Sequence, residues 1–152
     1  MGIFAGNLRD MINFNVEVEG FRLTERTKKK SWLKNLIQSH GKKVGELNYI
    51  FLSDEDLLEI NIQYLDHHTY TDIITFDNSE EEKMIEGDIF ISVDRVRENA
   101  QTFKVSFEQE LLRVMAHGVL HLLGLKDKTE EDSKLMRAGE EKAIAAYLRL
   151  ES

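Results

Sequence analysis

Apolar residues recur along this chain with two alternating periods. The stretch "MINFNVEVE" (residues 11–19) sets Ile12, Phe14, Val16 and Val18 against polar neighbours. A period of two predicts a strand with one buried face. The period then widens. Thr24 is placed to cap a helix running to about His40, with Gly41 as its stop. Trp32, Leu33, Leu36 and Ile37 form its apolar stripe, which leaves Lys28, Lys30 and Lys34 on the flanks and outside. "VGELNYIFL" (44–52) reads as a second strand. Ser53 and Asp56 then resemble a capping box, opening a helix that carries Leu57, Leu58, Ile60, Ile62 and Leu65. "TDIITF" (71–76) and "GDIFISV" (87–93) are two more strands, paired as a hairpin across the acidic loop "DNSEEEK" (77–83).

From there the pattern is helical. Asp94 is expected to cap a short helix through Phe103, and Ser106 the next, from Phe107 to Leu123. The second is apolar nearly all round, through Leu111, Leu112, Val114, Met115, Val119, Leu120, Leu122 and Leu123. Such a helix belongs in the middle of a domain. Thr129 and Asp132 mark another box-like start, and the last helix packs Leu135, Met136, Ala143, Ile144, Tyr147 and Leu148. No repeat or interdomain linker interrupts the 152 residues. The expected class is α+β: a single domain (1–152), a small mixed sheet of about four strands packed against several helices, one of them buried and bearing a metal. Residues 1–10 are expected to be a mobile N-terminal segment.

Composition narrows the chemistry. The chain has no cysteine, which excludes disulfides, zinc ribbons and thiol nucleophiles. No segment approaches the roughly 20 apolar residues of a membrane span. The start, "MGIFAGNLRD", is too short and too weakly apolar for a signal peptide. A soluble, cytoplasmic protein is expected. Net charge is −8, yet residues 22–43 carry eight basic residues against the single acid Glu25. A chain so segregated offers a basic face to a polyanion while its average stays acidic. A solvated helix face would give the same run of lysines.

The stretch "HGVLHLLGLKD" (117–127) carries the sharpest signal. His117 and His121 are one helical turn apart on one face. Two adjacent imidazoles in an apolar setting cannot both take charge cheaply. A divalent metal resolves this by taking one nitrogen from each neutral ring. Gly124 stops the helix, and Asp127 then comes within reach as a third ligand. Two imidazoles and a carboxylate are an ordinary catalytic zinc set with a place for water. Two hydrogen-bonded core histidines are the alternative. In H-E-x-x-H metalloproteases the residue after the first histidine is a glutamate base, and here it is Gly118. Peptidase chemistry therefore loses its base.

These residues resemble a known family. "HGVLHLLGLKD" is similar to the H-G-x-L-H-L-x-G-x-x-H signature of the bacterial YbeY proteins, rRNA maturation factors or endoribonucleases. "INIQYLDHHTYTDIITF" (60–76) looks like that family's L-N-x-x-Y-R-x-x-x-x-P-T-D-V-L-S-F block, and "EGDIFIS" (86–92) like its G-D-I-x-I-S strand. The resemblance implies a single-zinc, single-strand-specific endoribonuclease. It further implies a role in maturing the 3′ end of small-subunit rRNA and in ribosome quality control, with RNA and the small ribosomal subunit as partners. The family's histidines fall on His117, His121 and, as a departure, Asp127. Its arginine falls on Leu65 and its proline on Tyr70. That arginine is a natural phosphate clamp, so its role would pass to another basic residue.

In such a mechanism zinc supplies an acidified water and a Lewis acid. His67, His68 and Asp72 are candidates to move protons, His68 first because histidine titrates near neutrality. Glu110, two turns before His117, is a candidate acceptor behind the metal. Lys28, Lys30 and Lys34 would hold the RNA backbone. A zinc hydrolase of another substrate such as peptide, and a ribosome assembly factor with a structural metal, are the competing expectations.

Overall fold

Four strands, β1 (Met11–Val16), β2 (Lys43–Leu52), β3 (Ile73–Asp77) and β4 (Met84–Ser92), build one sheet in the order β1-β2-β4-β3. The computed structural model describes residues 10–151, so the expectations for the N-terminal segment fall almost wholly outside the described residues. β2 runs parallel to β1 and to β4, while β3 runs antiparallel to β4. The sheet is thus mixed, as expected, and the 77–83 connection makes the expected hairpin. β1 ends at Val16 rather than Glu19, where the chain leaves the sheet for a turn at Gly20.

Among the described residues five helices follow the periodic segments: α1 (Arg26–Ser39), α2 (Asp54–Leu65), α3 (Val93–Phe103), α4 (Phe107–Leu122) and α5 (Glu130–Arg149). The inward positions of the strands, among them Phe14, Leu47, Tyr49, Phe51, Ile89 and Ile91, meet Trp32, Leu33 and Ile37 of α1 and Leu111, Met115 and Val119 of α4 in one cluster. Each such side chain withdrawn from water stabilises the fold by roughly 1.5–3 kcal/mol. On the other face α2 covers a smaller cluster of Leu52, Leu57 and Ile74. Among the described residues no helix is long and apolar enough to cross a membrane.

The caps correct two expectations. Thr24 does not cap α1. The N-cap is Glu25 in a left-handed conformation, without a side-chain cap, and the Thr24 carbonyl instead accepts from Lys29 Nζ at 2.7 Å. Asp94 does not cap α3. Ser92 does, its hydroxyl accepting from the Arg95 amide at 3.1 Å, and Asp94 reaches across to accept from the Asp54 amide at 2.9 Å. Asp94 is drawn to the start of a neighbouring helix, whereas Thr24 meets a lysine of the very helix it was expected to cap. Ser53, Ser106 and the Thr129–Asp132 capping box stand as expected. Along α2 only Leu57 of the expected apolar residues is buried; Ile62 and Leu65 are exposed. Leu135 and Leu148 of α5 are exposed as well, because α5 turns only the Met136, Glu140, Ala143 and Tyr147 stripe inward.

Candidate functional site

α4 lies against the sheet, and one polar stripe runs along it from buried Glu110 to exposed His121. Glu110, Arg113, His117 and His121 follow one another along that stripe at helical spacing. Gly118 explains how closely the helix sits. A Cβ there would come within 2.9 Å of Ile89 Cδ1 and 3.1 Å of Ile73 Cδ1. The residue that distinguishes this stretch from H-E-x-x-H is thus also the one that lets the helix press on β3 and β4. Gly124, at φ 107°, then ends the segment in a conformation that favours glycine.

The two histidines sit in different surroundings. His117 is partly buried, and its Nδ1 lies within hydrogen-bond distance of Glu140 Oε2 of α5, at 2.8 Å. His121 is exposed. Neither is a satisfied histidine in the middle of the core. Glu140 was not anticipated from sequence; Glu110 was the expected acceptor. Glu110 instead takes a two-bond fork from Arg113, through Nε at 2.9 Å and the second terminal nitrogen. Arg113 also donates to Glu140 Oε1 at 3.3 Å and lies 3.8 Å from Asp72 Oδ2. A signal for Glu140 does exist in the chain: it interrupts the apolar stripe between Met136 and Ala143.

Three carboxylates, Asp72, Glu110 and Glu140, therefore surround one guanidinium, and two of them are only 2% exposed. Hydrogen bonding to Glu110 pushes the Arg113 pKa further up, against its burial. Burial pushes the Asp72 carboxyl up, while the charges of Arg113 and His117 pull it back. The cluster holds more negative than positive charge beside an imidazole whose second nitrogen, Nε2, remains for a ligand. All three carboxylates face Arg113, so at this corner the His117 ring alone has a nitrogen to offer a cation.

The remaining candidates are spread more widely. Asp127 is exposed and its Oδ1 accepts from Ser133 Oγ at 3.0 Å. Among the described residues no three His, Asp or Glu side chains converge closely enough to hold one ion, so His117, His121 and Asp127 are not gathered into a closed set. His67 and His68 lie exposed after α2, with His68 Nε2 3.5 Å from Asp66. Leu65 is exposed beside them, and Tyr70 donates its hydroxyl to Glu55 at 2.8 Å.

The lysines of α1 are more engaged than their spacing implied. Lys34 pairs with Asp10 at 2.7 Å, Lys28 stands 4.0 Å from Glu25 and over the Tyr147 ring, and Lys30 is exposed near Phe14. Lys29 is fully buried.

The endoribonuclease YbeY family model matches residues 13–148. An endoribonuclease YbeY of Flavobacterium psychrophilum is 52% identical over 137 residues, 90% of this chain and 96% of that protein. Its counterpart from Cytophaga hutchinsonii is 48% identical over 136 residues, covering 90% and 95%. The solution structure of TM1509 from Thermotoga maritima superposes with a TM-score of 0.65 at 31% identity, covering 90% of this chain and 89% of that one. With a family model spanning the sheet, the histidine helix and α5, this chain belongs to the endoribonuclease YbeY family.

Proposed function

We propose that the chain is a cytoplasmic, zinc-dependent endoribonuclease, specific for single strands. It acts in maturation of the small-subunit rRNA 3′ end and in ribosome quality control. The observation that carries this reading is the His117 corner: an imidazole with one nitrogen tied to a buried carboxylate, in a cluster with surplus negative charge, within a family whose relatives are named endoribonucleases. His117 and His121 would hold one zinc ion, with Asp127 as third ligand. Carboxylate in place of histidine is chemically conservative for zinc. When bound, zinc supplies an acidified water and a Lewis acid for the phosphate.

The chain's own groups would do the rest. Glu140 holds the His117 ring in place. His68, exposed beside Asp66, would move a proton at the leaving oxygen. Lys28, Lys30 and Lys34 hold the backbone of an RNA whose binding weakens with salt, and Lys30 is the most available of them. The absent glutamate at Gly118 disfavours a peptide substrate.

The test is metal content and cleavage together. Protein purified without a metal-affinity column should carry zinc and cut single-stranded RNA. The His117→Ala/His121→Ala variant should lose the zinc and at least ~100-fold of the cleavage rate, the scale set by removing a metal-activated nucleophile. Undiminished zinc in that variant, or casein cleaved in place of RNA, overturns the proposal.

A further inference from the structure

The relay from Arg113 through Glu140 to His117 joins α4 to α5 and fixes more than packing. We infer that Arg113 and Glu140 are positioning residues that set the tautomer of His117, keeping the proton on Nδ1 and presenting Nε2 as the ligating nitrogen. The inference deepens the metal-dependent reading, on which only the identity of the ligand rests. Arg113 has donors and no acceptor, and it does not lose its charge. It therefore demands acceptor oxygens from whatever faces it. Glu140 Oε1 meets that demand at 3.3 Å, which turns Oε2 toward His117 Nδ1 at 2.8 Å. An ionised carboxylate only accepts, so Nδ1 must donate, and a neutral ring then keeps its lone pair on Nε2.

Two features make the arrangement rigid. Arg113 is itself held by the fork to Glu110, so it cannot swing away from Glu140. Glu140 is 2% exposed, so water does not compete for its oxygens. Gly139 brings it there: a Cβ at that position would stand 3.1 Å from Leu120 Cδ1, and without one α5 approaches α4 closely. A clamp between helices would need only charge. This one offers a carboxylate at one edge of one imidazole, while exposed His121 provides an internal control.

The experiment is nitrogen-detected NMR of the imidazoles in the full-length, metal-free chain. It is run at pH ~8.5, about two units above the ordinary histidine value. Wild-type His117 should show the proton on Nδ1. Glu140→Gln keeps the shape but not the acceptor pair. Arg113 takes the amide oxygen, the amide NH₂ faces His117, and the proton moves to Nε2. His121 should not change. Zinc affinity, titrated on the same samples, should fall about 10–100-fold, the usual consequence of losing such a partner. Arg113→Lys keeps the charge without the fork and should give a mixture of tautomers; it carries the test if Glu140→Gln does not fold.

A wild-type His117 protonated on Nε2 overturns the inference. So does a folded Glu140→Gln chain whose His117 tautomer is unchanged, whatever its zinc affinity. Nδ1 protonation in a wild-type chain that binds no zinc upholds the tautomer assignment and removes the metal-dependent reading instead.

Discussion

Two buried ionic clusters tie α5 to the rest of the fold, and they are built on opposite plans. Near the C-terminal end of α5, Lys29 is fully buried and satisfied on every side. It donates to the Thr24 carbonyl at 2.7 Å, pairs with Glu108 at 2.9 Å and lies 3.4 Å from the Tyr147 hydroxyl. One cation meets one carboxylate, and the aromatic ring of Tyr147 covers it. At the middle of α5, Glu140 shares one guanidinium with Glu110 and Asp72 and spends its second oxygen on His117. There the charges do not balance, and the histidine at the end is only partly covered. A closed cluster holds helices together. An unbalanced one that ends in a partly covered imidazole is where the proposed ligand would bind.

The largest expected effect comes from breaking the unbalanced cluster at its centre. Arg113→Met leaves Glu110 and Glu140, both 2% exposed, with no cation. Removing one partner from a buried pair typically costs about 3–5 kcal/mol, and a urea unfolding midpoint should fall accordingly. Lys29→Met should cost less than about 2 kcal/mol, because methionine fills the same space and Glu108, whose Oε1 is buried beside Lys29, has a side chain 42% exposed that can turn its carboxylate out to water. Equal losses in the two variants would erase the distinction between the clusters.

The same contrast shows what was legible in the chain. The strands, the helices and the stripe Trp32, Leu33, Leu36 and Ile37 follow from periodicity, since burial of one face is a local property of spacing. His117 and His121 stood out because imidazoles interrupt an apolar run. Glu140 and Lys29 did not, since each lies far along the chain from its partners. His117 and Glu140 are separated by 23 residues, Lys29 and Tyr147 by 118. Nothing in local spacing tells buried Lys29 from its exposed neighbour Lys30. The misassigned cap at Asp94 has the same origin: its winning hydrogen bond spans 40 residues to the start of another helix.

The smallest expected effect concerns Tyr147, and its direction follows from linkage. Burial, and then its hydrogen bond to Glu25 at 2.9 Å, push the phenol pKa up. A group whose folded pKa exceeds its unfolded value, near 10 for tyrosine, contributes stability that is complete below that value. The contribution is lost as pH rises toward the folded value. Wild-type stability should therefore fall above pH ~10. Tyr147→Phe cannot ionise, so that part of the fall should vanish, and the difference in urea midpoint between the two proteins should narrow as pH rises. Tyr49 sets the remainder: burial also raises its pKa, and its hydroxyl donates to the Met115 carbonyl of α4 at 2.7 Å. If the two proteins lost stability in parallel above that pH, Tyr147 would not belong to a closed cluster. Its hydroxyl would then be as hydrated in the folded chain as in the unfolded one.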